Sequence, residues 1–138
     1  MNEPKQVLII RTDTEPKMRK GKMIAQGAHA PMKMLCDKFG GIDYDDQGEP
    51  IFSIRVAKKE YPHVFAWLTE IFKKIVLKGT KAELVEAYQE AMKAGIPCSL
   101  IEDKGLTEFK GKITLTAVAI GPALPEEIDP ITGHLNLL

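Results

Sequence analysis

The sequence predicts an α/β fold: a three-layer single domain over residues 1–138, with a mixed sheet of four or five strands flanked by helices. Three observations carry this. A chain of 138 residues, 44% of them hydrophobic, fills one ordinary core and not two. Short β-branched runs alternate with segments of helical periodicity, in the order strand, helix, helix, strand, helix, strand, strand. The last two strand-like segments are joined by the turn residues Asp103-Lys104-Gly105, a hairpin arrangement that makes the sheet mixed.

Gln6 to Arg11 is an aliphatic run ending in polar residues, the pattern of a buried strand that feeds a functional loop. From about Lys20 to Lys38, Ile24, Ala28, Leu35 and Phe39 recur at helical spacing until Gly40-Gly41, with a kink expected at Pro31, which lacks a backbone donor and crowds the Gly27 carbonyl. Residues 40–60 carry Gly, Asp and Pro signals and read as a surface insertion. Within it, Ile51 to Val56 alternates and is the candidate fifth strand, an edge strand or the cover of a dimer surface. Pro62 opens a helix through Ile71, and Ile75 to Leu77 reads as a buried strand. Thr80 with Glu83 is a capping-box pair, and Leu84, Val85, Tyr88 and Met92 carry that helix to Gly95 and Pro97. Cys98 to Ile101 and Ile113 to Ile120 supply the last two strands.

Charge and composition exclude several classes. Lys+Arg 19 balances Asp+Glu 19, so a nucleic-acid role must come from local clustering. Lys17, Arg19, Lys20, Lys22 and Lys33 occur with no carboxylate between them, and Asp37, Asp43, Asp45, Asp46 and Glu49 follow; taken alone, this is a solvated basic stretch beside an acidic one. Cys36 and Cys98 form no disulfide framework, and the Val7 to Ile10 run is too short for a signal peptide core, so a soluble cytoplasmic protein without membrane contact is expected. Ser53 and Ser99 lack a Gly-flanked elbow, and phosphate loops, dinucleotide fingerprints and zinc-ligand spacings are absent. A serine triad, bound metal and cofactor are therefore not expected. Cys36 follows His29 by two helical turns, roughly 10 Å, which is too far for a dyad.

Lys22, Gln26 and His29 share one face of the first helix. Spacing alone makes this the ordinary solvated face of an amphipathic helix. The wider sequence adds to it. Arg11-Thr12-Asp13, the stretch Met18-Arg19-Lys20-Gly21-Lys22-Met23-Ile24-Ala25-Gln26 and Ala28-His29-Ala30 resemble the signature of the peptidyl-tRNA hydrolases found mainly in archaea and eukaryotes. So do Ile101-Glu102-Asp103 with Gly105 and Thr107, Ile120-Gly121-Pro122, and the closing Ile131-Thr132-Gly133-His134-Leu135-Asn136-Leu137-Leu138.

The resemblance implies an enzyme that cuts the ester between peptide and tRNA, with Lys22, Asp103 and Thr107 as the reactive centre and Gln26 and His29 lining it. It implies that Asp13, Lys17, Arg19, Lys20, Gly105 and Thr116 belong to the substrate-binding surface for the tRNA acceptor end, and that a homodimer is an available assembly. Lys22 can stabilise an oxyanion, Asp103 can orient Lys22 or a water, and Thr107 can fix the water's approach. Three departures stand near that centre: Leu106 in place of a cation, Glu108 in place of Gln, and a longer Phe109–Thr114 stretch without the usual Pro-Gly turn. They motivate two alternatives, a non-catalytic RNA- or protein-binding module on the same fold and an enzyme acting on another ester or amide.

Overall fold

A computed structural model describes residues 3–105 and 109–138. The chain order is β1 (Lys5–Arg11), α1 (Lys20–Phe39), β2 (Gly40–Tyr44), β3 (Pro50–Ile54), α2 (Pro62–Thr69), β4 (Lys74–Gly79), α3 (Lys81–Lys93), β5 (Cys98–Asp103), β6 (Thr114–Ala123) and α4 (Pro125–Thr132). Four strands form the main sheet in the order β4-β1-β6-β5. β1 runs parallel to β4 and antiparallel to β6, and β5 is antiparallel to β6, so the sheet is mixed as the sequence predicts.

Period-two alternation along the strands separates two apolar layers. Val7, Ile9, Val118 and Ile120 point to one face and bury against Leu84, Ala87 and Ala91 of α3 and Ile128 and Ile131 of α4. Leu8, Ile10, Ala117 and Ala119 point to the other face, where Met18, Ala30 and Phe109 join them. The alanines on that face let α1 approach the sheet closely. The capping box at α3 forms as its residues dictate: Thr80 Oγ1 accepts from the Glu83 amide and Glu83 Oε1 accepts from the Thr80 amide.

Several local expectations change. The stripe of α1 that faces the sheet contains Gln26, Ala30, Pro31, Met34 and Leu35, whereas Ile24 and Ala28 are exposed. The helix is turned because its polar Gln26 has a buried partner, described below. α2 ends at Thr69, two residues before the expected Ile71, and β4 extends from Lys74 to Gly79. The eight residues of α4, with Pro at positions 125 and 130, form a helix that periodicity did not reveal.

The candidate fifth strand does not enter the main sheet. β3 pairs with β2 in a separate two-stranded hairpin, with Ile42 opposite Phe52 and Tyr44 opposite Pro50. No residue of the 40–60 stretch belongs to either apolar cluster among the described residues. Its flanks lie together: Phe39 and Tyr61 meet edge to face at 4.9 Å between ring centroids.

Candidate active site

The ends of three elements meet at one end of the sheet. Lys22 stands in the first turn of α1, Asp103 ends β5, and Phe109 lies in the connection between β5 and β6. Met18 and Phe109 belong to one buried cluster with Ile101 and Ala117, which draws the segment before α1 and the β5–β6 connection to opposite sides of the same spot. Arg19 caps α1 through its backbone only, with no side-chain cap and no acidic residue in the first turn. The first turn of the helix itself thus carries no carboxylate, and Lys17, Arg19 and Lys20 beside it are all exposed.

Lys22 Nζ forms an ion pair with Asp103 Oδ2, and both side chains are largely shielded, at 16% and 10% exposure. The other carboxylate oxygen of Asp103 accepts from the Gly105 amide at 2.7 Å. Both oxygens are thereby fixed. The hydrogen bond with Lys22 holds the Asp103 carboxyl below the usual carboxylate range; burial opposes this, and the Gly105 amide and the charges of Lys22 and His29 reinforce it. The Lys22 nitrogen lies 5.8 Å from the centroid of the buried Phe109 ring.

Gly105 is required here by geometry. Its φ is +76°, and a Cβ would lie 2.5 Å from the Lys112 carbonyl oxygen and 2.6 Å from the Lys112 nitrogen. The Gly111 amide closes the loop onto the Gly105 carbonyl at 2.8 Å. Lys104, Lys110 and Lys112, on either side of this closure, are exposed. Sequence reasoning missed these three lysines. Their signal was present as three lysines between positions 104 and 112, interrupted by Glu108. Thr107, with Leu106 and Glu108, lies outside the described residues.

The remaining candidates divide. His29 is exposed on α1 and lines a cleft of about 540 Å³ with Met32, Lys33, Leu100, Ile101 and Glu102, next to Asp103. Gln26 and Thr116 are buried at 4% and 0% exposure and bond to each other, Thr116 Oγ1 donating to Gln26 Oε1 at 2.5 Å. A bulge explains how they meet. Ile101 pairs with Ala117 but Glu102 with Leu115, so β6 gains a residue at Thr116, which points with Ala117 toward α1. Asp13 is turned the other way: its Oδ1 accepts from Arg11 Nε at 2.7 Å and from the Lys81 amide at 3.1 Å, at the start of α3. The Arg11 bond is the main cause holding its carboxyl low. Arg11 also donates to the Leu115 carbonyl at 3.2 Å, so this motif ties the loop after β1 to β6 and α3.

Comparison with known proteins identifies the family. A family model described as Peptidyl-tRNA hydrolase PTH2 matches residues 4–138. A peptidyl-tRNA hydrolase of Methanocaldococcus jannaschii is 43% identical over 136 residues, covering 97% of this chain and 99% of the relative. One from Thermococcus onnurineus is 38% identical over 135 residues, 97% of each chain. A solved structure of a protein of unknown function from Agrobacterium tumefaciens shares the fold, with a TM-score of 0.57 at 14% identity over 100% of this chain and 99% of its own. The extent of the match leads to one assignment: the chain belongs to the PTH2 family of peptidyl-tRNA hydrolases.

Proposed function

We propose that this chain hydrolyses the ester of peptidyl-tRNA, releasing the peptide and recycling the tRNA, with Lys22, Asp103 and Thr107 as the reactive centre. The observation that carries the reading is the shielded Lys22–Asp103 pair, fixed on both carboxylate oxygens and rimmed by two basic segments. Water attacks the ester carbonyl, and a C–O bond forms while negative charge builds on the carbonyl oxygen. Lys22 supplies fixed positive charge there, worth most where water is excluded. Asp103 orients Lys22 and accepts a hydrogen bond from the water, and Thr107 sets the water's approach. The bond to the terminal ribose oxygen of the tRNA then breaks, and that oxygen takes the proton the water gives up. No covalent enzyme intermediate is needed.

Lys17, Arg19 and Lys20 on one side and Lys104, Lys110 and Lys112 on the other contact phosphates of the acceptor end, a form of recognition that positions without reading sequence and suits an enzyme serving many tRNAs. His29 and Gly105 border the ester. Gln26 and Thr116 act from beneath by holding α1 on the bulge of β6, and Asp13 acts through the loop that leads to α1. The reading places the protein in the cytoplasm, acting as a homodimer. Among the described residues no helix is long and apolar enough to cross a membrane.

The test is release of peptide from purified peptidyl-tRNA by wild type and Lys22→Ala. Loss of one such charge-stabilising group costs roughly 100- to 1,000-fold in turnover. Wild-type rates in the variant, with a cooperative thermal transition, overturn the site; binding of peptidyl-tRNA without turnover by the wild type overturns the activity.

A further inference from the structure

The main sheet has two edges, β4 and β5, and they are treated differently. The closing segment of the chain covers β4: the Lys78 amide donates to the Asn136 carbonyl, and the Leu138 amide donates to the Val76 carbonyl. β5 pairs with β6 alone and ends on Asp103. The bulge at Thr116 shows which backbone groups of β5 that pairing uses. The Ile101 carbonyl accepts from the Thr116 hydroxyl at 3.4 Å and so faces β6. By the alternation along a strand, Leu100 and Glu102 turn their N–H and C=O groups outward. Among the described residues, no backbone hydrogen bond from a turn, a loop or a further strand reaches them.

The space beside this open edge is concave. The cleft of about 540 Å³ has His29, Met32 and Lys33 of α1 on one wall and Leu100, Ile101 and Glu102 of β5 on the other. The Ser99 hydroxyl donates to the Ala30 carbonyl at 2.6 Å and fixes the two walls to each other. The side chains around the cleft are of mixed kind: a cation, a carboxylate, an imidazole and apolar groups. They select no single class of side chain. What repeats along the strand wall is the unpaired backbone, the template for one further strand.

We infer that the peptide of peptidyl-tRNA lies in this cleft as an added strand on β5, held by its main chain. This rests on the hydrolase reading and names how that same site takes the peptide. Continuity with Asp103 identifies the occupant: a peptide whose ester sits at Lys22 and Asp103 leaves the site along one of its walls, and β5 is the wall that offers hydrogen bonds. The direction follows. The ester is at the C-terminus of the peptide and Asp103 is at the C-terminal end of β5, so the added strand runs parallel to β5. In a parallel ladder the peptide residue beside Ile101 donates its N–H to the Leu100 carbonyl and accepts from the Glu102 amide. The residue that carries the ester then lies two positions on, beside Asp103. Main-chain bonds of this kind hold a peptide without reading its sequence, as the phosphate contacts hold the tRNA.

The experiment measures peptide release by the wild-type protein from three peptidyl-tRNAs that carry the same acetylated tetra-alanine. One is unmodified. The second is N-methylated on the alanine two positions before the ester-bearing residue, whose N–H meets the Leu100 carbonyl. The third is N-methylated one position before it, where the N–H points away from β5. The second substrate is expected to lose roughly 2- to 10-fold in kcat/KM, the worth of one hydrogen bond made in water, and the third to match the unmodified one. An unmodified substrate that is not cleaved overturns the hydrolase reading and this inference with it. If it is cleaved, any pattern other than slowing confined to the second substrate overturns strand addition alone. Equal rates for all three leave the β5 edge to another occupant, such as a second copy of the chain.

Discussion

Replacing Thr116 by Val tests whether the buried Gln26–Thr116 pair supports the site or touches substrate. Thr116 Oγ1 is the donor to Gln26 Oε1 at 2.5 Å, and both groups are out of contact with water. Val keeps the shape and removes the donor, leaving a buried amide oxygen unsatisfied at a cost of roughly 1–3 kcal/mol. In a chain of this size each kcal/mol lowers Tm by roughly 3–5 °C, so the transition should fall by about 3–15 °C. Gln26→Leu should cost less, because Thr116 Oγ1 retains the Ile101 carbonyl at 3.4 Å as an alternative acceptor. The double variant Gln26→Leu/Thr116→Val removes both partners together and should regain most of the loss, a coupling that a double-mutant cycle measures by thermal and denaturant unfolding. Peptide release should stay within a few-fold of wild type wherever the protein is folded. A Thr116→Val variant of unchanged stability that loses about 100-fold in kcat/KM would refute the reasoning, since that is the signature of a group acting in the transition state.

Three further outcomes are expected. Because Asp103 is held below the usual carboxylate range, its ionisation stabilises the fold fully above the unfolded value near 4 and less as pH falls toward the lowered folded value. The stability gap between wild type and Asp103→Asn should therefore be flat from neutral pH down to about pH 5 and shrink below about pH 4; a decline setting in near pH 6 would mean a raised carboxyl instead. Affinity for tRNA should fall with added salt, and replacing Arg19 and Lys20, or Lys110 and Lys112, by Ala should flatten the log–log slope by roughly 0.7–0.9 per contact removed; an unchanged slope in both variants removes those residues from the phosphate surface. Residues 40–60 should be replaceable by a short Gly-Ser linker with retained peptide release, because Phe39 and Tyr61 already touch and long surface loops are entropically tolerated. An unfolded product of that replacement would put the stretch in the core.

The sequence by itself determined the class of fold, the capped helix α3 and the family signature, because each of these is written in local residue order; Lys22 and Asp103 became candidates through the resemblance, not through spacing. A capping box needs only Thr80 and Glu83 three positions apart, and β1 needs only a run of residues buried on both faces. Tertiary structure decided the rest, because it depends on contacts between residues distant in the chain. Ile24 reads as core by periodicity and Gln26 as surface, yet the bulge at Thr116 offers Gln26 a buried partner 90 residues away, and the helix turns its polar side chain inward. Asp13 reads with the site and instead bonds Arg11 and the start of α3, a choice fixed by the parallel pairing of β1 with β4. The backbones of Gly105 and Lys112 come together only because Gly105 adopts a positive φ and the Gly111 amide closes onto its carbonyl. Ile51 to Val56 carries a strand pattern whichever sheet it enters; its hydrogen bonds go to β2, its immediate predecessor in the chain, and the apolar face that results stands exposed.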